Sequence, residues 1–321
     1  MSNGSTLPPH RRLRGTLLVI AAVVVVVGLG GWLVWRSSGD GGGPPRAGQP
    51  GPGRSAENGA DGTGGSGGGS HEPAGKDSGR GSHGHGSGGD SGKGGPHGSL
   101  KGKVVVIDPG HNPHNSEHGQ EIARQVDIGN DRKECDTTGT STNDGYAEAS
   151  FTLDVARRAR TLLQDAGAEV VFTQNGDRPY GPCVDERAAI GNKAHADAAL
   201  SLHADGSGAG NRGFHVILPA RVTDGPADTA AIVAPSKQLG KRLAGRFRAA
   251  TGSAPSNYIG QGTGLDVRSD LGGLNLSTVP KVFIECGNMR DPKDAAQLTD
   301  PRWRQKAARG ITEGITDFLT R

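Results

Sequence analysis

Two histidines and a glutamate stand directly after short apolar runs. Val104-Val-Val-Ile107 leads through Asp108-Pro109-Gly110 to His111, Ala199-Leu200-Ser201-Leu202 runs into His203, and Val282-Phe283-Ile284 runs into Glu285. Imidazole nitrogens and carboxylate oxygens are the usual ligands of a catalytic zinc, which takes three protein groups and leaves one position for water. Hydrolysis at such a site needs a further carboxylate to carry the water's proton, so one glutamate must be ligand and another base. Spacing alone does not say which is which, and the chain has no compact His-Glu-x-x-His motif to settle it. Glu148, in Gly145-Tyr146-Ala147-Glu148, stands at the mouth of a helical pattern. A negative charge there suits the helix dipole whether or not a metal is present.

The elements that must position these groups are legible as patterns. Residues 103–107 form a continuous apolar run that stops at Asp-Pro-Gly, as a strand buried on both faces does. The spacing predicts a helix over 147–166, with Phe151, Val155, Ala159 and Leu163 on its apolar side and Gly167 as the residue after its end. Further strands are expected over 169–173, 198–202, 213–218 and 281–284, and further helices over 184–194, 236–250 and 302–319. Strands alternating with helices predict an α/β domain with a mixed, mostly parallel central sheet flanked by helices. In open sheets of this kind functional groups gather at the carboxyl ends of the strands, which would bring His111, His203 and Glu285 to one edge.

The whole chain cannot be one core. Of its 321 residues 56 are glycine and only 32% are hydrophobic, and 25 of those glycines fall within 37–99 among Pro, Ser, Asp and Arg. Such a stretch buries too little apolar surface to offset its ordering entropy, so 36–100 is expected to be a disordered linker. As a flexible coil it would span about 45 Å. His71, His83, His85 and His97 within it read as solvated linker residues. Before it, residues 15–35 carry no ionisable side chain. At ~1.5 Å per residue a helix there would cross about 30 Å, the thickness of a hydrocarbon core. Arg11, Arg12 and Arg14 precede it, which keeps residues 1–14 in the cytoplasm and sends everything after Arg36 across the membrane. The expectation is a single-pass signal anchor with Trp32 and Trp35 at the interface and an extracytoplasmic domain over 101–321. The alternative is a cleaved signal peptide and a secreted protein, but Trp32-Leu33-Val34-Trp35 is a poor cleavage site. A net charge of +3 from 36 basic and 33 acidic residues, without a basic stripe interleaved with aromatics, argues against a nucleic-acid partner.

Three cysteines remain. In an exported chain a pair is read first as a disulfide. Cys135 and Cys183 both lie in loop-like surroundings and are expected to be bonded, whereas Cys286 follows an apolar run and reads as a free buried thiol. His114, His118, His195 and His215 read as loop or packing residues. Asp108 reads as a cap of its turn or a hydrogen-bond partner for a ligating histidine. The segment 267–275 mixes charge with glycine and reads as a loop. Its Arg268, Asp270 and Asn275 are candidates for gripping a carboxylate-bearing substrate, since arginine matches carboxylates with a forked geometry.

Taken together, Val-Val-Val-Ile-Asp108-Pro109-Gly110-His111, Ser201-Leu-His203-Ala-Asp205 and Val282-Phe-Ile-Glu285-Cys-Gly287-Asn288-Met resemble the three signatures of the zinc-dependent N-acetylmuramoyl-L-alanine amidases. The likeness spans essentially all of 102–320. It implies that zinc is held by His111, Glu148 and His203, that Glu285 is the catalytic base, and that the substrate is peptidoglycan. The reaction implied is cleavage between N-acetylmuramic acid and the L-Ala of the stem peptide. Two departures stand out: Asn112-Pro113 where the family commonly has Gly-Gly, and Asp205 where it commonly has Asn. The stretch 114–146 is longer than the minimal pattern and resembles that of small actinobacterial-type members with a disulfide-pinned loop. A zinc peptidase acting within the stem peptide, or an inactive homologue that only binds peptidoglycan, are the alternative readings. The protein regulators of such an enzyme are unknown from sequence.

Overall fold

The computed structural model describes residues 99–321. The expected membrane anchor at 15–35 and the linker as far as Gly98, with its histidines, lie outside the described residues. Leu100, expected as the last residue of the linker, is instead fully buried in the core, and its N–H donates to the Ala166 carbonyl at 2.8 Å. No helix among the described residues is long and apolar enough to cross a membrane.

The chain begins with β1 (Val104–Asp108) and passes through a short helical turn, α1 (Gly119–Ile122), into a hairpin of β2 (Gln125–Asp127) and β3 (Arg132–Glu134). Two crossovers follow. α2 (Glu148–Asp165) leads to β4 (Glu169–Phe172), and α3 (Val184–Lys193) leads to β5 (Ala198–Asp205). After β6 (His215–Pro219) come the small pair β7 (Thr223–Asp224) and β8 (Ala227–Asp228), then α4 (Val233–Thr251), β9 (Leu265–Arg268) and α5 (Gly272–Asn275). The chain closes with β10 (Lys281–Asn288), α6 (Pro292–Thr299) and α7 (Pro301–Leu319).

Six strands form one sheet in the order β4-β1-β5-β10-β6-β9. Every neighbouring pair is parallel except β10 with β6, so the sheet is mixed and mostly parallel, as the alternation of patterns predicts. The twofold alternation of strand side chains explains why both faces must be covered. Val105, Ile107, Leu200, Leu202, Val282 and Ile284 point to one face, into a core shared with Phe151 of α2, Phe247 of α4 and Trp303 of α7. Val106 and Ala199 point to the other, as do Ile217 and Phe283, where Leu274 of α5 packs. α4 and α7 approach closely because α7 carries glycines at the contact. A Cβ on Gly314 would stand 2.7 Å from the Leu243 Cα, and one on Gly310 2.9 Å from that of Phe247.

Helix ends follow local chemistry. Gly167, at φ 98°, follows α2 as expected, and Asp300 caps α7 by accepting from the Arg302 N–H, with Pro301 in the first turn. Three differences from the sequence expectation bear on the site. β5 and β10 do not stop at their apolar runs but continue through Asp205 and Asn288. His203 and Glu285 therefore lie inside paired strands, because backbone pairing continues where the apolar pattern ends. Residues 265–268, where the expected loop begins, form an edge strand beside β6, and 272–275 form a helical turn.

Candidate metal centre

His111, Glu148 and His203 come from three separate elements, and their ligand atoms lie within 4.8 Å of one another. His111 follows the turn after β1, where Gly110 takes φ 69°. A side chain at Gly110 would meet the Leu202 carbonyl at 2.5 Å, so only glycine lets the two strand ends come this close. Glu148 opens α2. Its Oε2 accepts from the Thr140 N–H at 2.9 Å and its Oε1 from the Ala204 N–H at 3.1 Å. The same Oε1 lies 3.0 Å from His203 Nδ1 and 3.6 Å from His111 Nε2. The His203 ring stacks on Phe283, with centroids 5.1 Å apart and planes 10° from parallel. Two imidazole nitrogens and one carboxylate oxygen converging at this range are a donor set suited to zinc.

The charges at the centre depend on one another. Burial raises the Glu148 carboxyl, but the adjacent His111 and His203 outweigh it and bring the pKa down to about 2. Burial lowers the His111 pKa, and the Glu148 and Asp136 carboxylates reverse this and raise it. Beneath the centre lies a buried set of charges: Asp108 accepts from Arg187 Nη1 at 2.6 Å, from Ser201 Oγ at 2.8 Å and from Thr173 Oγ1 at 2.7 Å. Burial raises the Asp108 pKa, but Arg187, Lys281 and His203 overcome it and hold the carboxyl well below the usual range. Asp108 bonds the Gly110 N–H at 3.3 Å, which supports its expected role at the turn, but it does not bond His111.

Glu285 sits in register between two histidines, opposite His203 on β5 and His215 on β6. Residues opposed in this way share a face of the sheet. Its Oε2 is buried with no hydrogen-bond partner among the described residues. Burial, then the Glu148 and Asp205 carboxylates, push its pKa well above the ordinary carboxylate value. Asp205, the departure after His203, accepts from the Tyr258 hydroxyl at 2.7 Å. Asn112, the other departure, donates to the Arg178 and Gly181 carbonyls at 3.1 Å each and ties the loop after His111 to the start of α3.

A cavity of about 360 Å³ opens beside the centre, lined by His111, His203, Lys133, Arg268, Asp270 and Phe283 among others. Arg268 and Asp270 line it, joined to each other by paired hydrogen bonds of 2.9 and 2.7 Å. Asn275 does not. It is fully buried and its amide donates to the Ile128 and Ser269 carbonyls at 3.2 and 2.8 Å, tying α5 to the hairpin. It is a candidate as part of the loop expected over 267–275, but the end of that stretch forms α5, which turns the amide inward. Cys135 and Cys183 are bonded, and Cys286 is free and buried. His114 and His195 are exposed, whereas His215 is buried with its Nδ1 unpartnered among the described residues. No sequence pattern marks Asp136, which bonds the His111 ring, Gly139, which packs against His111 and Glu148, or Arg187, which bonds Asp136 and Asp108 behind them. The position of Asp136 beside the bonded Cys135 was the one available signal.

A mostly parallel sheet with a His–Glu–His cluster at its carboxyl edge defines the class: an α/β protein with a site able to hold one metal ion. Residues 105–317 match the family described as N-acetylmuramoyl-L-alanine amidase, and the chain belongs to that family. It is 41% identical over 222 residues to the N-acetylmuramoyl-L-alanine amidase Rv3717 of Mycobacterium tuberculosis, covering 69% of this chain and 88% of that protein. Among solved structures it is similar to the amidase Ami1 of Mycobacterium smegmatis, with 42% identity, a TM-score of 0.63, and coverage of 69% of this chain and 98% of that one. The apo form of Ami1 from Mycobacterium abscessus is similar at 39% identity and a TM-score of 0.62, covering 68% and 100%.

Proposed function

We propose that this chain hydrolyses the amide between the lactyl group of N-acetylmuramic acid and the L-Ala of the peptidoglycan stem peptide. The observation that carries the reading is the convergence of His111, Glu148 and His203, with Glu285 in register beside His203. Zinc fits this donor set, and when bound there it supplies a Lewis acid that acidifies water and polarises the scissile carbonyl. Glu285 takes the proton of the attacking water and returns it to the leaving amine. Burial and neighbouring carboxylates favour the protonated form that must act as acid in the second half, and a cation held by the three ligands would favour the carboxylate that must act as base in the first. Phe283 backs the His203 ring and limits its rotation. Arg268 and Asp270, half-exposed on the cavity wall, face the stem peptide as a paired cation and anion.

We place this activity outside the cytoplasmic membrane. The uncharged run at 15–35 behind Arg11, Arg12 and Arg14 supports a retained anchor, and the Cys135–Cys183 disulfide supports an oxidising compartment. The test is digestion of purified sacculi by the full-length protein, with mass spectrometry of the products. An intact stem peptide with a free L-Ala amine is expected, while cleavage inside the peptide would favour a peptidase. Full activity in Glu285→Ala would sink the assignment of the base.

A further inference from the structure

The groups that hold His111 come from the long stretch after it and from α3, not from the ligand set. His111 Nδ1 lies 3.0 Å from the Thr137 carbonyl oxygen and 3.2 Å from Asp136 Oδ1. A carbonyl can only accept, so Nδ1 carries the proton and donates. Nε2 then keeps its lone pair, and it is the nitrogen on the Glu148 side of the ring. Asp136 is itself held. Its Oδ1 accepts from the Thr137 N–H at 2.8 Å, and its Oδ2 accepts from Asn115 Nδ2 at 2.8 Å and from Arg187 Nη2.

Arg187 is buried and its guanidinium reaches four oxygens. Besides Asp136 it donates to Asp108 Oδ1 at 2.6 Å, to the Gly110 carbonyl, and through Nε to the Pro182 carbonyl at 2.8 Å. Asp108 and Gly110 belong to the turn that delivers His111, and Asp136 grips its ring. One planar fork thus fixes both the backbone before the histidine and the carboxylate on its Nδ1. The Cys135–Cys183 bond ties these two contributors together: Cys135 precedes Asp136, and Cys183 stands at the N-cap of α3, one turn before Arg187.

We propose that Arg187 and Asp136 are positioning residues that hold His111 in the tautomer and orientation a metal requires, so that metal affinity depends on two side chains outside the ligand set. The inference rests on the reading of His111 as a ligand. Groups in this role typically set metal affinity by about 10–100-fold. A lysine at 187 keeps the charge but gathers its donors on one nitrogen, so it lacks the planar fork that spans Asp108, Asp136 and the two carbonyls.

The test is zinc affinity of the full-length protein, measured by competition with a chromophoric chelator, alongside the melting temperature of the metal-free form. Asp136→Asn and Arg187→Lys are each expected to weaken zinc binding about 10–100-fold. At saturating zinc, kcat should return to within several-fold of the parent. Arg246→Lys, which alters a surface pair with Asp317 far from the centre, should leave the affinity unchanged. If Arg187→Lys does not fold, Asn115→Ser carries the same test, since it removes a donor from Asp136 and from the Thr137 carbonyl. Folded variants that melt lower yet bind zinc like the parent would overturn the proposal. A parent protein that binds no zinc would instead overturn the ligand assignment beneath it.

Discussion

Replacing Gly139 by alanine separates backbone strain from damage to the metal centre. Gly139 has φ 73°, in the left-handed region where an L-residue costs about 1–2 kcal/mol. A methyl at this position would stand 2.7 Å from His111 Cδ2 and 2.8 Å from Glu148 Oε2. Carbon contacts are comfortable at about 3.5–4.0 Å, so ring and carboxylate must each retreat by roughly 0.5–1 Å. Metal–ligand distances tolerate only about 0.2 Å, so zinc affinity should fall by tenfold or more, about the scale of losing a supporting group. Gly145 provides the control: its φ is 86°, and a Cβ there meets nothing within 4 Å. Gly145→Ala should lose about 2–8 °C in Tm from backbone strain alone, and Gly139→Ala at least as much. Only Gly139→Ala should lose zinc, measured by chelator competition on the folded proteins. Equal zinc affinity in the two variants would refute the reasoning, whichever way their stabilities fell.

Four further outcomes are expected. Glu285→Gln should lower kcat by about 10²–10⁴ while zinc content by elemental analysis stays near one per chain; loss of zinc would make Glu285 a ligand instead. Proton and metal compete at His111, whose pKa lies above 6.5, so zinc affinity should fall as pH drops through that raised value, with proton release visible by calorimetry in buffers of different ionisation heat. In the metal-free protein the depressed Glu148 pKa gives stability that is present above 4.5 and lost as pH falls toward about 2. The raised His111 pKa gives stability that is full below 6.5 and lost as pH rises through its folded value. Thermal melts in chelator should therefore be flatter with pH in Glu148→Gln, and parallel curves would contradict the pairing. Reduction of Cys135–Cys183, which closes a separation of 48 residues, should cost up to about 4 kcal/mol of stability and weaken zinc binding, read by denaturant titration and chelator competition.

Much of this protein could be read along the chain because the signals are local. Continuous apolar runs named β1, β5 and β10 as buried strands, and helical spacing with Gly167 at its end named α2. His111, His203 and Glu285 were visible because each follows such a run, and sheets of this class collect chemistry at strand ends. Glu148 needed the family resemblance, since a carboxylate at a helix start has a sufficient local explanation without a metal. What no local pattern contains is which side chains meet across the fold. β9 escaped notice because an edge strand of four residues with Asp266 and Arg268 carries no apolar run, and only pairing with β6 defines it. Asn275 looked like a surface binder, but the packing of α5 turned its amide inward. Asp136, Gly139 and Arg187 were silent because their roles are contacts: a carboxylate on an imidazole, a missing methyl between two ligands, a guanidinium shared by two carboxylates. The sequence by itself determined the buried strands, the long helices and the chemistry available at their ends. The tertiary structure decided which groups stand close enough to orient one another, since hydrogen bonds and steric exclusion act over a few ångströms in space, whatever the separation along the chain.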